Sequence, residues 1–485
     1  MEYEKPLSAQ GTGIEGLMLL DLAVHGDSRG WFKENWQRAK MAKLGIPDLH
    51  VVQNNISFNA ARGVTRGIHA EPWNKFVSIA HGSVFGAWVD LREGSATFGK
   101  VFTATLDPSK AIFVPRGVGN SFQALEDGTT YTYLVDAHWS AELKETYTFV
   151  NLTDPKLGIE WPIPLSECEL SEADRNHPMI ADVAPMAPKK TLVTGCNGQL
   201  GRAIRREVAV RDLKGFVFTD IDEFNFADSN AYAAINWDLY GTVINCGAFT
   251  AVDAAETNEG RVACWRANAT GPALLAQICA EHGITLVHIS SDYVFDGTRE
   301  LHNEEEPLSP LGVYGQSKAA GDIAISSCPS HYILRSSWVI GDGRNFVKTM
   351  AMLSDRCSDP SDSLSTITVV NDQFGRLSFT DEMAHAIFYL LDSRPPYGTY
   401  NMTGSGRTVS WYEIAWHVFE LRNGNGSAVH PISTVEYYAS AKNPVSPRPT
   451  YSSLDLSKLE AVGFSPRDWE KELAEYVESI PAKEV

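Results

Sequence analysis

Cysteine is scarce in this 485-residue chain and poorly placed for structural work. Its seven residues (Cys168, Cys196, Cys246, Cys264, Cys279, Cys328 and Cys357) are scattered, odd in number and include no CxxC pair. That excludes a disulfide framework or a zinc knuckle and predicts the reduced thiols of a cytoplasmic protein. Basic residues are also short, 41 Lys and Arg against 60 Asp and Glu, a net charge of -19. A chain so acidic cannot neutralise phosphates in bulk, so no nucleic-acid partner is expected. No apolar run reaches the ~20 residues of a membrane helix. The opening MEYEKPLSAQ lacks the basic start and apolar core of a signal peptide, so no membrane partner is expected either.

Hydrophobic residues make up 44% and charged residues 21%, which places the chain among ordinary globular proteins. Its length predicts two or three domains. The texture changes near residue 180. Before it lie short stretches rich in β-branched and aromatic residues, bounded by Gly, Pro, Asp or Asn: 75–80, 84–91, 100–106, 111–115 and 129–135. This spacing predicts an all-β sandwich or barrel over residues 1–180. A connector with prolines at 178, 185 and 188 follows, and its linker is placed at 181–189. From residue 190 to 485 strands alternate with helices. Strands are expected at 191–194, 216–219, 242–245, 285–290 and 332–335, with a helix from about Gln199 and another over 261–282. That is the signature of βαβ units and a parallel sheet.

The first βα turn of this second half reads Gly195-Cys196-Asn197-Gly198-Gln199-Leu200-Gly201. Gly195 suits the tight turn, Gly198 a close approach to a pyrophosphate, and Gly201 close packing of the helix on the sheet. The helix N-terminus faces the phosphate charge. Asp220 ends the next strand, where an acid can bond a ribose hydroxyl; it leaves NADH and NADPH both open. Tyr314 and Lys318, four apart, share one helix face. A phenol with a pKa near ~10 needs a nearby cation to work as an acid near neutrality, and Lys318 supplies one. Ser291, in Ser290-Ser291-Asp292 at a strand end, can bond a substrate carbonyl.

These residues resemble the extended short-chain dehydrogenase/reductases, and more narrowly the dTDP-4-dehydrorhamnose reductases. The likeness is carried by LVTGCNGQLGR (192–202), INCGAFTAVDAAE (244–256), HISSDYVFDGT (288–298), VYGQSK (313–318), LRSSWVIG (334–341) and VVNDQFG (369–375), in family order. The resemblance implies a Rossmann fold with a smaller C-terminal substrate-binding part. It implies reduction of the 4-keto group of a dTDP-6-deoxy sugar by NADPH or NADH. Tyr314 would be the proton donor, Lys318 its helper and Ser291 the hydroxyl partner where the family has Thr. The glycine turn, Asp220, Cys246 and Ala248 would hold the cofactor. Trp338, Gln373 and Arg448 fall in segments the family uses around the sugar nucleotide. The family's TPxSP-like stretch reads Arg376-Leu377-Ser378, a departure among the substrate contacts.

In the β-rich half, GDSRGWFKENW (26–36), TRGIH (65–69), FVPRGVGNSF (113–122), DPKLGIEWP (154–162) and LSEAD (170–174) resemble the dTDP-4-dehydrorhamnose 3,5-epimerases. That family is a cupin-type β-barrel, a jelly roll without a catalytic metal, and no metal is expected here. By resemblance His69 is the base, Asp174 its orienting partner and Tyr133 the acid across the ring. Lys75 would stabilise the enolate, while Arg66 and Arg29 would hold the diphosphate. A second active-site histidine of the family is Asn120 here. Asn donates hydrogen bonds but carries no proton charge, which would weaken activity at one carbon.

The two resemblances name consecutive steps, so the sequence predicts a bifunctional enzyme acting on a dTDP-sugar, with a homodimer as the inherited expectation. The rival reading is an active reductase carrying a non-catalytic β-barrel as a binding or dimerisation module. The overall field of so acidic a chain repels a dianionic substrate, so Arg29, Arg66, Lys75, Lys318 and Arg448 are expected to gather it locally.

Overall fold

The computed structural model describes residues 5–139, 142–441 and 444–481. The chain divides into two compact units, Met1–Pro188 and Lys189–Val485.

The first unit is two antiparallel sheets packed face to face. One has six strands in the order Ser8–Gly11, Met18–Asp21, Lys110–Val114, Lys75–His81, Thr129–Val135, Gln53–Asn59. The other has five: Thr148–Val150, Thr65–Ala70, Val118–Ala124, Val84–Asp90, Val101–Leu106. Neighbours are mostly far apart in sequence, the crossing pattern of a jelly roll. Alternate residues face inward, and Val77, Ile79, Trp88, Ile112, Phe122 and Tyr131 form the layer between the sheets. A separate hairpin, Val24–Asp27 with Gly30–Lys33, pairs along its strands with neither sheet, though Lys33 donates to the Ile79 and Pro108 carbonyls. Part of the segment read as a connector packs on the barrel. Val183 and Met186 are buried with Ile68 and Leu91, and Met186 trades backbone hydrogen bonds with Leu91 and Glu93.

The second unit is built on a six-stranded parallel sheet. Its order is Phe216–Thr219, Lys190–Thr194, Tyr240–Asn245, Thr285–Ser291, His331–Ser336, Gly398–Asn401. The central strands Thr285–Ser291 and His331–Ser336 are largely buried runs, as a sheet covered on both faces requires, while the edge strand Phe216–Thr219 is half-buried. The order reverses direction at the first strand, and a crevice opens beyond the carboxyl ends there. The helix expected over 261–282 is two helices, Asn258–Trp265 and Gly271–Glu281, joined by a widened turn over Arg266–Thr270. Pro272 explains the break, since it has no N–H for the carbonyl four residues back. The widened turn presents Asn268, whose side chain accepts from the Phe249 N–H (2.9 Å) and donates to the Phe249 carbonyl (3.0 Å). A smaller C-terminal part packs Phe346–Ser358, Trp411–Asn423 and Trp469–Ser479 around Ile340, Leu377 and Phe379. Trp411–Asn423 starts on a capping box between Ser410 and Glu413.

Candidate active sites

In the second unit a cleft of about 750 Å³ lies at the carboxyl ends of the parallel strands. Gly195, Gly198, Gln199 and Leu200 line it from the first turn, and Asp220, Cys246 and Ala248 from the next two strand ends. Ser291, Tyr314, Lys318 and Trp338 line its other side. The turn leaves no room for side chains. Gly195 has φ +65°, and a Cβ there would lie 2.6 Å from Gly247 Cα. At Gly201 it would lie 2.5 Å from Cys196 Cα, inside the turn rather than in the cleft. These glycines let the backbone close tightly at the N-terminus of helix Gln199–Val210, where Gly198 borders the cleft with no side chain, and the bare turn fits a dinucleotide pyrophosphate. Asp220 accepts from the Asn197 N–H (2.9 Å) and the Ile221 N–H (2.8 Å), so it also holds the turn in shape. Asn197 takes part through its backbone.

Lys318 is buried and donates to the Ile289 carbonyl at 2.5 Å. Burial lowers its ammonium to about 8, against the pull of Asp322. Tyr314 lies against the Ser291 hydroxyl, and burial pushes its phenol well above the ordinary value. This differs from the lowering by Lys318 expected from the sequence: desolvation outweighs the cation, whose hydrogen is turned to a backbone carbonyl. Trp338 holds a left-handed φ of +48° and stacks on Trp411 with ring centroids 3.8 Å apart. Gln373 and Arg448 do not line the cleft. Gln373 donates to the Thr434 hydroxyl (2.9 Å), and Arg448 pairs with Asp253 (2.8 Å). Arg376 and Ser378 are buried and bond the backbone carbonyls of Leu454 and Ser337.

In the first unit, groups from both sheets meet. His69 and Asn120 are cross-strand neighbours on the five-stranded sheet, and Lys75 and Tyr133 come from adjoining strands of the other. The His69 Nε2 lies 2.7 Å from Asp174 Oδ1, on the short helix Glu172–Arg175 that Ser171 caps. Burial works to raise the Asp174 carboxyl, but His69, Ser171 and the Gly67 N–H together hold it well below the carboxylate range. Lys75, buried, pairs with Glu71 and lies 5.4 Å from the centre of the Tyr133 ring. Burial raises the Tyr133 phenol and Glu71 adds to this, while the Arg66 charge opposes it. Asn120 Oδ1 accepts from the Trp88 indole (2.8 Å) and from the Tyr131 hydroxyl (3.0 Å), a bond that stitches one sheet to the other. Arg29 is not brought to these residues by its own chain contacts. It sits on the separate hairpin, with 87% of its side chain exposed and paired to Asp27.

Three participants escaped the sequence reading. Glu71 carried no signal beyond standing four residues before Lys75. Gly67 mattered only as part of a motif; an added Cβ there would lie 2.7 Å from Asp174 Cγ and 2.9 Å from His69 Nε2. His177 stacks on Phe149 (4.5 Å) and reaches the same Asp174 oxygen at 3.3 Å. His69, Asp174 and His177 therefore converge as three ligand-type groups, joined by hydrogen bonds.

Comparison with known proteins assigns both halves. The family described as "RmlD substrate binding domain" matches residues 189–481, and the family described as "dTDP-4-dehydrorhamnose 3,5-epimerase" matches 11–182. The "Protein RmlC homolog" of Streptococcus pyogenes serotype M6 is 50% identical over 193 residues, 39% of this chain and 96% of that protein. A dTDP-4-dehydrorhamnose reductase of Aggregatibacter actinomycetemcomitans is 31% identical over 299 residues, 59% of this chain and 97% of the relative. The crystal structure of dTDP-4-dehydrorhamnose reductase from Bacillus anthracis, in complex with NADP, superposes with a TM-score of 0.53 at 30% identity. It covers 60% of this chain and 98% of its own. With nearly the full length of each relative contained in it, the chain belongs to the RmlD reductase family through its second unit and to the dTDP-4-dehydrorhamnose 3,5-epimerase family through its first.

Proposed function

We propose that this chain catalyses two consecutive steps of dTDP-L-rhamnose formation. The first unit epimerises dTDP-4-dehydro-6-deoxy-D-glucose at carbons 3 and 5, and the second reduces the 4-keto group with NADPH or NADH. The observation that carries this is the pairing itself: families for neighbouring reactions on one chain, each with its charge-handling residues gathered in one place.

In the first unit the keto group acidifies the protons on carbons 3 and 5. A carboxylate only accepts hydrogen bonds, so Asp174 fixes the hydrogen on His69 Nε2 and leaves Nδ1 as the base. Lys75 faces the enolate oxygen as charge develops, with Glu71 balancing it until substrate binds. Tyr133 returns a proton on the far side, Arg66 takes the diphosphate, and the exposed Arg29 leaves Asp27 to join it as the substrate arrives. Asn120, its oxygen already engaged, offers its NH₂ to the sugar. The intact His69–Asp174 pair favours a catalytic barrel over a mere docking module.

In the second unit Gly195, Gly198, Gln199 and Leu200 would hold the pyrophosphate, with Gly201 and Asn197 shaping the turn. Asp220, Cys246 and Ala248 would line the adenosine side, and Lys318 would meet the nicotinamide ribose. The bound nicotinamide supplies a hydride for carbon 4. Tyr314 gives the keto oxygen its proton and Ser291 orients that oxygen. Trp338 walls the sugar, and Gln373 and Arg448 would have to leave Thr434 and Asp253 to contact the sugar nucleotide. The same reading takes the barrel as cupin type and the second unit as an extended short-chain dehydrogenase/reductase. It takes the working form as a cytoplasmic homodimer with no nucleic-acid or membrane partner. Seven free cysteines support a reducing compartment, and no described helix is long and apolar enough to cross a membrane.

Incubation with the dTDP-keto-sugar and either NADPH or NADH, with the product identified by NMR, tests the proposal. dTDP-L-rhamnose is expected. A product reduced at carbon 4 but unepimerised at carbons 3 and 5 would overturn the epimerase half.

A further inference from the structure

Asp292 follows Ser291 at the end of strand Thr285–Ser291, lines the cleft and is 3% exposed. Its Oδ1 accepts the Ser291 hydroxyl hydrogen at 2.9 Å, while Oδ2 is buried and closes no hydrogen bond. The family comparison and the mechanism above leave this carboxyl without a task. We infer that Asp292 is a positioning residue for the Ser291–Tyr314 pair, acting as a neutral carboxylic acid that donates to Ser291 and thereby turns both hydroxyl hydrogens toward the substrate carbonyl. This rests on the reading of Tyr314 and Ser291 as the reductase pair.

The argument is a count of lone pairs. A serine hydroxyl has one hydrogen to give and two acceptor positions. One acceptor position of Ser291 is held by the Tyr293 N–H at 3.2 Å. If Asp292 is ionised it can only accept, so the Ser291 hydrogen points to it. The second acceptor position then takes the Tyr314 O–H, which lies against it. Both hydrogens that should meet the keto oxygen are spent inside the protein. If Asp292 carries a proton, its O–H fills the second acceptor position. The Ser291 hydrogen is released and Tyr314 is displaced from Ser291. Both then aim into the cleft.

The surroundings favour the neutral acid. A carboxylate this deeply buried is costly even with the Ser291 and Ser452 hydroxyls beside it, and the group takes a proton instead. The titratable groups facing it are the phenols of Tyr314 and Tyr293, both pushed up by burial and uncharged near neutrality. Lys318 is turned to the Ile289 carbonyl with Asp322 behind it, and the Arg448 charge is directed to Tyr293 and Asp253. Burial raises the Asp292 carboxyl to about 7, with the Ser452 and Ser291 hydroxyls opposing it.

The test is Asp292→Asn in the full chain, because the amide NH₂ is a donor at every pH. With NADPH and pre-epimerised keto-sugar, the ratio of D292N to wild-type kcat should rise about tenfold per pH unit above neutrality. Titration of Lys318 acts on both proteins and cancels in the ratio. Without cofactor or substrate, infrared difference spectra of the wild type should contain a protonated-carboxyl C=O band that titrates near neutrality and is missing from D292N. A ratio constant between about pH 6 and pH 9 overturns the inference. So does a folded, NADPH-binding D292N that is inactive at every pH. Tyr314→Phe separates the two levels: if it still reduces the sugar, the reading of the site itself fails, whatever D292N does.

Discussion

Gly67→Ala should disable the epimerase while leaving the fold and the reductase in place. Gly67 has an ordinary extended backbone in strand Thr65–Ala70, so alanine costs nothing in φ and ψ. The obstacle is a single methyl group, which would stand 2.7 Å from Asp174 Cγ and 2.9 Å from His69 Nε2. Relief to an ordinary contact of about 3.5–4 Å moves the carboxyl by about 1 Å. That stretches the 2.7 Å His69–Asp174 bond past hydrogen-bonding range and frees the imidazole to change tautomer. Misplacement of that size costs about 10²-fold, and loss of an oriented base about 10²- to 10⁴-fold. Solvent-deuterium incorporation at carbons 3 and 5, followed by NMR without cofactor, should therefore slow by about 10²-fold or more. Overpacking of about 1–3 kcal/mol lowers the melting temperature of this unit by several degrees, short of unfolding it. Reduction of pre-epimerised substrate should be unchanged. Exchange within about threefold of wild type would refute the claim that the His69–Asp174 contact positions the base.

Other outcomes follow from the same geometry. Tyr314→Phe should abolish reduction and spare deuterium exchange, and His69→Ala should do the reverse; loss of both activities from either change would contradict two independent sites. Asn120→Ala leaves the buried Trp88 indole and Tyr131 hydroxyl without their shared acceptor, so a thermal melt of the first unit should register about 2–4 kcal/mol of destabilisation. Burial works to raise the Asp90 carboxyl, but Arg92, Ser95 and Thr97 outweigh it and hold it at about 2. Its folded value is depressed, so its stabilisation is full above about pH 4 and is lost as pH falls toward 2. Acid titration of Asp90→Asn should lack that component.

The reading of the sequence reached the fold class because periodicity is local. The strands at 129–135 and 216–219 lie where alternation placed them, and the glycine turn lies between a strand and a helix as its spacing required. Strand Gln53–Asn59 was missed, since this edge strand is mostly polar and its two apolar residues, Ile56 and Phe58, face solvent. The break at Pro272 was missed because flanking helical periodicity continues through it. At the sites, residues within one motif were legible, Tyr314 with Lys318 above all. Partners supplied from a distance were mostly not. Asp174 was legible as the partner of His69 only through the family resemblance and is found there, whereas nothing near residue 69 announces His177 and nothing near 448 announces Asp253. Arg448 and Gln373 read as substrate contacts but are held by Asp253 and Thr434, contacts only the tertiary fold creates.

The late arrival of Asp174 has a consequence for synthesis on the ribosome. Every strand of the barrel is made by Val150, yet the carboxylate that sets the tautomer of His69 emerges some twenty residues later, with Ser171 and His177 beside it. The second unit repeats the order: Ser446 and Arg448 dock on Glu256 and Asp253 only after every strand of its parallel sheet has been made. In each half a segment made after the sheet supplies contacts to groups made before it. A chain that stops before Asp174 has sheets but no oriented base, and cannot form a reactive enolate.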